Sequence, residues 1–315
     1  MNSKMLTCWA VSVIGLFLFA SQSGAATFTM EQNRYERYRS AVAEKEKALK
    51  LLFRQQGVSY PPQDVFLRAF KQERKLELWA KDAKNVEFKK IRTYDFCAVS
   101  GKLGPKRREG DLQIPEGFYH IDRFNPASKF HLSLGINYPN ASDRIRSDKQ
   151  YPGGDIFIHG SCVTIGCIPV TDDKIKEIYI AAVAARSNGQ SAIPVHIFPS
   201  RLNQDGFDKL QGSFSRRQDL LGFWQELKVG FDYFERHRKL PRMHIDKNGK
   251  YLFSSEGLTE IEKKTQEIAS GAREASRVNA RDVQRPPVPS DQQPHGSGGL
   301  YAGCRAEKLV FCKRY

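Results

Sequence analysis

A histidine and two cysteines lie within nine residues of one another, in the segment DIFIHGSCVTIGCIPVTDD. His159 ends a short apolar run, and Cys162 and Cys167 follow it. Such a set suits three kinds of chemistry, namely metal ligation, disulfide formation, or a thiol nucleophile with its base. A structural zinc site needs a further ligand, and the chain has no CxxC or HxxxH pair to supply one. Metal ligation is therefore the weakest of the three hypotheses.

The N-terminus is typical of a secretory signal peptide. A short positive stretch, MNSK, precedes the apolar run MLTCWAVSVIGLFLFA and the small residues SQSGAA, which predicts cleavage after Ala25 or Ala26. The apolar run is short for a membrane-spanning helix. We therefore expect an exported protein whose mature chain has no transmembrane segment.

Export changes what the cysteines can do. After signal removal five remain: Cys97, Cys162, Cys167, Cys304 and Cys312. An odd number in an oxidising compartment leaves at least one thiol outside any intrachain disulfide. The last two could close a small C-terminal loop, and Cys162 could pair with Cys97 or with Cys167.

A nucleophile with its base accounts for the histidine as well as for a thiol. An imidazole beside a cysteine favours the reactive thiolate, which suits His159 and Cys167. Gly166 would let the backbone approach a substrate closely, and N–H groups there could stabilise an oxyanion. For His131 and His196 a core histidine bonded to backbone stays an open alternative.

The formal net charge of +15 raises the question of a polyanionic partner. The basic residues are spread along the chain without a dominating run, and an exported protein rarely meets nucleic acid. We expect no nucleic-acid partner. A solvated basic surface is favoured, and an anionic envelope surface is the second interpretation.

Periodicity predicts helices, strands and hairpins in alternation. Helices are expected over residues 31–56, in SYPPQDVFLRAF, after Thr171, and in FWQELKVGFDYFERHRKL. Strands or hairpins are expected in KLELWAK with VEFKKIRTYDF, in DIFIHG, in SAIPVHIF, and in RMHIDKNGKYLF with a turn at Asn248-Gly249.

Several separate blocks agree in order with one known family. SGKLGPKRREGDLQIPEGFYHI, LSLGINYPNASDR and IFIHGSCVTIGCIPVTDDKIKEIY resemble the L,D-transpeptidase catalytic domain of the YkuD type, and most closely its YafK-like branch from Gram-negative envelopes. In that family a His followed by Gly begins the site and a Cys after Gly ends it, which corresponds to His159 and Cys167. Most of the family has a longer loop and a second His where this chain has Ile165, but the YafK-like branch resembles this chain in both respects.

The resemblance implies a fold, a reaction and a location. The fold would be mostly β, a sandwich-like catalytic domain with flanking α-helices, α+β overall. Cys167 would attack a diaminopimelate carbonyl of a peptidoglycan stem peptide in the periplasm, with His159 as proton acceptor and donor. The thioester would pass to an amine or, in an amidase, to water, and an envelope lipoprotein is a further partner that the family allows. Neither a metal nor an organic cofactor is implied.

Two pocket residues and two other protein classes complete the expectations. Tyr138 and Arg144 are candidates for contacting the stem peptide, because an arginine can hold a carboxylate with two parallel hydrogen bonds. A peptidoglycan-binding module without catalysis and a zinc-structured envelope protein are the alternatives from other classes.

The predicted organisation has five parts. They are a signal peptide (1–26), an N-terminal helical segment (27–73), the catalytic domain (74–200), a helical and hairpin extension (201–254), and a charged, Pro/Gly-rich tail (255–315) with the Cys304–Cys312 loop.

Overall fold

The computed structural model describes residues 27–254 together with Glu260, Lys263, Lys264 and Gln266. The predicted signal peptide and the predicted Cys304–Cys312 loop lie outside the described residues. In the described part of the chain, no helix has both the length and the apolar character needed to cross a bilayer.

Within the described residues, eight strands form one curled sheet and two more form a hairpin. The strands are β1 (Asp64–Phe70), β2 (Lys75–Lys81), β3 (Lys89–Asp95), β4 (Gly117–Asn125), β5 (Ser133–Ile136), β6 (Phe157–His159), β7 (Ile168–Pro169), β8 (Ile193–Phe198), β9 (Met243–Ile245) and β10 (Tyr251–Phe253). The sheet order is β3-β2-β1-β8-β4-β5-β6-β7, and β9 pairs with β10. The predicted mostly β domain with flanking helices is confirmed.

The helices cover both faces of this sheet. They are α1 (Glu36–Gln55), α2 (Ala141–Arg146), α3 (Asp172–Ser187), α4 (Gln204–Ser213) and α5 (Gln218–His237), and residues 27–32 are also helical. One apolar cluster joins α1 and α3 to one face of the sheet, and a second joins α4, α5 and the β9–β10 hairpin to the other face. Burial on both faces explains why the central strands are apolar nearly throughout.

The prediction of a helix in SYPPQDVFLRAF is wrong, because Asp64–Phe70 forms strand β1. Six of its seven residues are buried, since β1 lies between β2 and β8 with helices above and below. A strand buried on both faces loses the alternation of apolar and polar residues that identifies a half-exposed strand. The other predicted helices and strands are present, whereas helices α2 and α4 and strands β4, β5 and β7 were not predicted as individual elements.

The segment after β8 packs as a layer of the same domain. In α5, Trp224 is fully buried, and its Nε1 donates to Glu116 Oε2 at 2.7 Å. Glu116 also pairs with buried Lys71 at 2.9 Å, and Lys71 donates to the carbonyl oxygens of Gly104 and Ile114 at 2.8 Å each. This satisfied buried pair fastens the loop before β4 to both the sheet and α5.

Candidate active site

His159 ends strand β6, and Cys167 immediately precedes strand β7. The two strands run parallel, with Ile158 beside Ile168 and His159 beside Pro169. Paired residues point to the same face, and successive residues alternate between faces. Cys167, one residue before Ile168, therefore shares its face with His159. The structure brings the two predicted catalytic residues to one face of neighbouring strands.

The loop over residues 160–166, which joins them, begins with a glycine that no other residue could replace without movement. A Cβ on Gly160 would lie 2.5 Å from Asp172 Oδ1 and 2.8 Å from the carbonyl oxygen of Phe130. The same Asp172 oxygen accepts a hydrogen bond from the Ser161 N–H at 2.7 Å. The start of α3 therefore fixes the backbone that follows His159.

A disulfide fixes the middle of the same loop. Cys162 is joined to Cys97, so of the two partners that the sequence left open for Cys162, Cys97 and Cys167, the structure contains the disulfide with Cys97. The Cys97 N–H donates to the carbonyl oxygen of Pro169 in β7 at 3.1 Å. A disulfide sulfur supplies no thiolate to a metal, and in residues 27–254 no group of three His, Cys, Asp or Glu side chains is placed to hold one. Cys167 lies outside this disulfide.

His159 is buried and its tautomer is set by a neighbouring carbonyl. Its ring lies 4.8 Å from the ring of Phe130, and its Nδ1 bonds to the carbonyl oxygen of Gly160. A carbonyl oxygen only accepts, so Nδ1 carries the proton of the neutral ring and Nε2 keeps its lone pair. Burial lowers the pKa of His159 below 6.5, and the bond to Gly160 partly offsets this. The neutral ring is therefore suited to accept a proton.

The Cys167 thiol is half-buried and reaches the segment before β6. Its Sγ lies 3.7 Å from the carbonyl oxygen of Asp155, within hydrogen-bond range for sulfur. On the loop side, Thr164 Oγ1 donates to the Cys167 carbonyl oxygen at 2.8 Å. The thiol thus lies against the segment before β6, and the Cys167 backbone is held by the side chain three residues earlier.

Gly166 lies where the backbone passes another chain segment closely. Its φ is 139°, and a Cβ there would lie 3.0 Å from the carbonyl oxygen of Gln113. Its N–H donates to Thr164 Oγ1 at 3.1 Å. An oxyanion role for this amide would therefore require the Thr164 hydroxyl to rotate away.

Comparison with known proteins identifies the family. A profile of the YkuD family, described as the L,D-transpeptidase catalytic domain, matches residues 65–197. The YafK protein of Escherichia coli strain K12 is 37% identical over 204 residues, which cover 64% of this chain and 77% of YafK. The chain belongs to the L,D-transpeptidase family. YafK of Escherichia coli O157:H7 matches to the same extent.

Solved structures with similarity to this L,D-transpeptidase family member include two bacterial proteins. The helical cell shape determining protein Pgp2 of Campylobacter jejuni has a TM-score of 0.36 at 16% identity, covering 71% of this chain and 77% of Pgp2. Bd1075 of Bdellovibrio bacteriovorus has a TM-score of 0.33 at 20% identity, covering 69% of this chain and 72% of Bd1075. The sequence matches, and not these similarities, establish the family.

The two predicted pocket residues lie at different depths. Tyr138 is buried, and its hydroxyl donates to the carbonyl oxygens of Pro152 at 2.9 Å and Lys106 at 3.3 Å. It therefore braces the segment that leads to β6. Arg144 is exposed on α2, and its Nη1 donates to the carbonyl oxygen of Pro139 at 2.8 Å. Contact of either residue with a stem peptide stays a prediction.

The other histidines considered from the sequence occupy distinct environments. His196 is buried edge-on between the rings of Phe66 and Phe118, at 4.5 and 4.7 Å, and burial holds its pKa well below 6.5. It is a core histidine, although within the described residues its Nδ1 has no hydrogen-bond partner. His131 is half-buried, and its Cβ lies beside Gly160.

Sequence reasoning missed Asp155 and Thr164, which contact Cys167 through a backbone carbonyl and a hydroxyl group respectively. The signal for Asp155 was the preceding Gly-Gly pair, because glycines often mark a sharp change of chain direction. Thr164 carried no local signal, since a threonine in a loop is common.

Proposed function

We propose that this protein is an exported L,D-transpeptidase that acts on diaminopimelate-containing peptidoglycan stem peptides through a thioester on Cys167. The observation that carries the proposal is the shared sheet face of His159 and Cys167, with Nδ1 of His159 bonded to Gly160. That bond leaves Nε2 as the proton acceptor for the thiol.

The reaction would proceed in two halves. His159 Nε2 takes the thiol proton, and the Cys167 thiolate adds to the diaminopimelate carbonyl carbon. As the C–N bond breaks, the imidazolium gives its proton to the leaving amine, and the acyl group remains on sulfur. An acceptor amine then attacks the thioester, loses its proton to His159, and releases Cys167 as thiolate, which the imidazolium reprotonates.

The same thioester allows a second outcome. If water replaces the acceptor amine, the enzyme becomes an amidase that releases a peptide or a lipoprotein from peptidoglycan. A binding module without catalysis would retain the fold and form no thioester. The products of one reaction therefore separate all three functions.

The location is part of the proposal. The signal-like N-terminus supports export to the periplasm, where peptidoglycan lies. The net charge of +15 suits a substrate layer that carries many carboxylates.

The test is incubation with purified disaccharide-tetrapeptide muropeptides, followed by intact-mass and peptide mass spectrometry. We expect an acyl adduct on Cys167, with cross-linked dimers for transfer or shortened monomers for hydrolysis. Cys167→Ala is the control and should form no adduct and no product while remaining folded. A wild-type protein without adduct or product, or an adduct that persists in Cys167→Ala, contradicts the proposal.

A further inference from the structure

Arg123 of β4 lies in the same row of the sheet as Phe157 of β6. Arg123 pairs with Gly135 of β5, and Gly135 pairs with Phe157 of β6. Residues of one row point to the same face. Phe157 lies two residues before His159, and residues two apart in a strand share a face. The side chain of Arg123 therefore lies on the same face of the sheet as His159 and Cys167.

Gly135 is what allows the arginine to reach across β5. A Cβ on Gly135 would lie 2.9 Å from Arg123 Nε and 3.1 Å from Arg123 Cβ. With that space open, the guanidinium carbon lies 4.8 Å from the centre of the Phe157 ring, within cation–π distance. The positive charge of Arg123 therefore lies across β5, next to Phe157 of strand β6.

Asp155 connects this arginine to the thiol. Arg123 Nη1 donates to Asp155 Oδ1 at 2.8 Å, and the Asp155 carbonyl oxygen lies 3.7 Å from Cys167 Sγ. Asp155 has a φ of 53°, a left-handed conformation that Asp adopts more readily than most residues. One residue thus contacts both the charged group and the proposed nucleophile.

The ion pair uses one atom of each partner. Among the described residues, neither Nη2 of Arg123 nor Oδ2 of Asp155 has a hydrogen-bond partner, and the two side chains are 43% and 57% exposed. Asp122 Oδ1 approaches Arg123 Nε at 3.3 Å. The cluster therefore carries one positive and two negative charges, and the ion pair between Arg123 and Asp155 leaves Nη2 of Arg123 and Oδ2 of Asp155 for a ligand.

This charge pattern selects among ligand classes. A simple anion would be repelled by the two carboxylates, and a simple cation would leave the Nη2 donors without an acceptor. A zwitterion that carries an ammonium and a carboxylate on one carbon satisfies both groups at once.

We propose that Arg123 and Asp155 form a subsite for a zwitterionic α-amino-acid group, with its carboxylate on Nη2 and its ammonium on Oδ2. The inference rests on the proposed function, because the free end of diaminopimelate in a stem peptide is such a group. The group belongs to the stem that acylates Cys167, because an acceptor stem needs its free amine unprotonated to attack the thioester and cannot keep it as an ammonium on Asp155.

The test crosses two variants with three substrates. The substrates are the tetrapeptide muropeptide, an analogue amidated at the free diaminopimelate carboxylate, and an analogue acetylated at its free amine. With the natural substrate, Arg123→Gln and Asp155→Asn should each lower the second-order rate by about 10- to 100-fold, as for the loss of a charge-assisted hydrogen bond. With the amidated substrate Arg123→Gln should equal wild type, and with the acetylated substrate Asp155→Asn should equal wild type. This pairwise dependence is the signature of direct contact.

The same experiment contains the outcomes that overturn the inference. A loss of equal size with all three substrates would show that the pair only supports Cys167, and no loss with the natural substrate would show that it is not a subsite. Arg217→Gln is the matched control, because it removes an exposed Arg–Asp pair at the start of α5 and should change no rate.

The affected step must be the formation of the adduct on Cys167. A loss confined to transfer from the thioester would overturn the subsite. If wild type forms no adduct on Cys167, the proposed function fails and this inference fails with it. If wild type forms the adduct and the rates show no pairwise dependence, only the subsite is excluded.

Discussion

Cys97 is joined by a disulfide to Cys162, which lies in the short loop between His159 and Cys167. Cys97 follows β3 at one edge of the sheet, whereas the loop follows β6 near the other edge. The bond thus ties the loop between the two proposed catalytic residues to a distant part of the chain.

We expect the double variant Cys97→Ser/Cys162→Ser to lose both stability and activity. The two cysteines are 65 residues apart, and a closed loop of that length contributes about 4 kcal/mol to the free energy of unfolding in the chain-entropy account. Urea unfolding measures this loss, and muropeptide turnover measures the effect on the site. Cys167→Ser serves as the control, since it removes a thiol outside the disulfide and should leave the unfolding midpoint unchanged. Equal midpoints for the double variant and wild type would contradict a structural role for the bond.

The pH dependence of turnover should follow His159. Burial lowers the pKa of His159 below 6.5, so the neutral ring persists to more acidic pH than an exposed histidine allows. The acidic limb of kcat/KM is therefore expected below pH 6.5. His159→Gln should remove this limb and lower turnover by about 100- to 10,000-fold, the usual contribution of a general base.

Thiol alkylation provides an independent measurement of the same residue. In His159→Gln, iodoacetamide should modify Cys167 more slowly at neutral pH and recover near pH 9, because an unassisted thiol has a pKa of about 8.5. An alkylation profile identical to that of wild type would exclude His159 as the base. His131, whose Cβ lies beside Gly160, would then be the next candidate.

Local sequence pattern predicted the helices and strands that have a clear period. It also singled out His159 and Cys167, which lie close together along the chain. The alternation of β2 and the apolar face of α5 were sufficient to place those elements. Strand β1 was mistaken for a helix, because burial on both faces removed its alternation. Arg123 and Asp155 were not predicted, since their proximity depends on the register of β4, β5 and β6 and no local motif encodes that register.

Gly166→Ala should disturb the site without altering any reacting group. The residue has a φ of 139°, and the added Cβ would lie 3.0 Å from the carbonyl oxygen of Gln113. We expect a loss of about 1–3 kcal/mol in unfolding free energy, as for a residue forced into a strained conformation. Turnover should fall as Cys167 shifts.

Gly57→Ala separates the effect of backbone strain from the effect of the close contact with Gln113. Gly57 also has a positive φ, 70°, but no atom lies within 4 Å of an added Cβ. It should lose stability through backbone strain alone and keep full activity. If Gly166→Ala retains wild-type turnover, the close contact with Gln113 does not position Cys167.

The length of the functional domain can be tested with two truncated chains. Gln266, which lies beyond the predicted boundary at Ser254, contacts both backbone polar groups of Phe253 with its side-chain amide. Its Oε1 accepts from the Phe253 N–H at 3.1 Å, and its Nε2 approaches the Phe253 carbonyl oxygen at 3.4 Å. The compact unit that contains the sheet extends to Ala275. A chain ending at Ala275 should therefore match the full chain in stability and turnover.

A chain ending at Ser254 should still fold and still act on soluble muropeptides, because the sheet, the helices and the proposed site lie before that residue. It should lose about 1–3 kcal/mol of unfolding free energy, since the backbone groups of Phe253 lose the Gln266 amide. Gln266→Ala in the full chain should reproduce most of that loss and so assign it to this contact. Phe253 packs edge-on against Phe118 of β4 with ring centres 5.5 Å apart, so a larger loss would show that the hairpin detaches from the sheet. Loss of turnover in the chain ending at Ala275 would instead place a required element within residues 276–315 and contradict the expectation that this chain matches the full one.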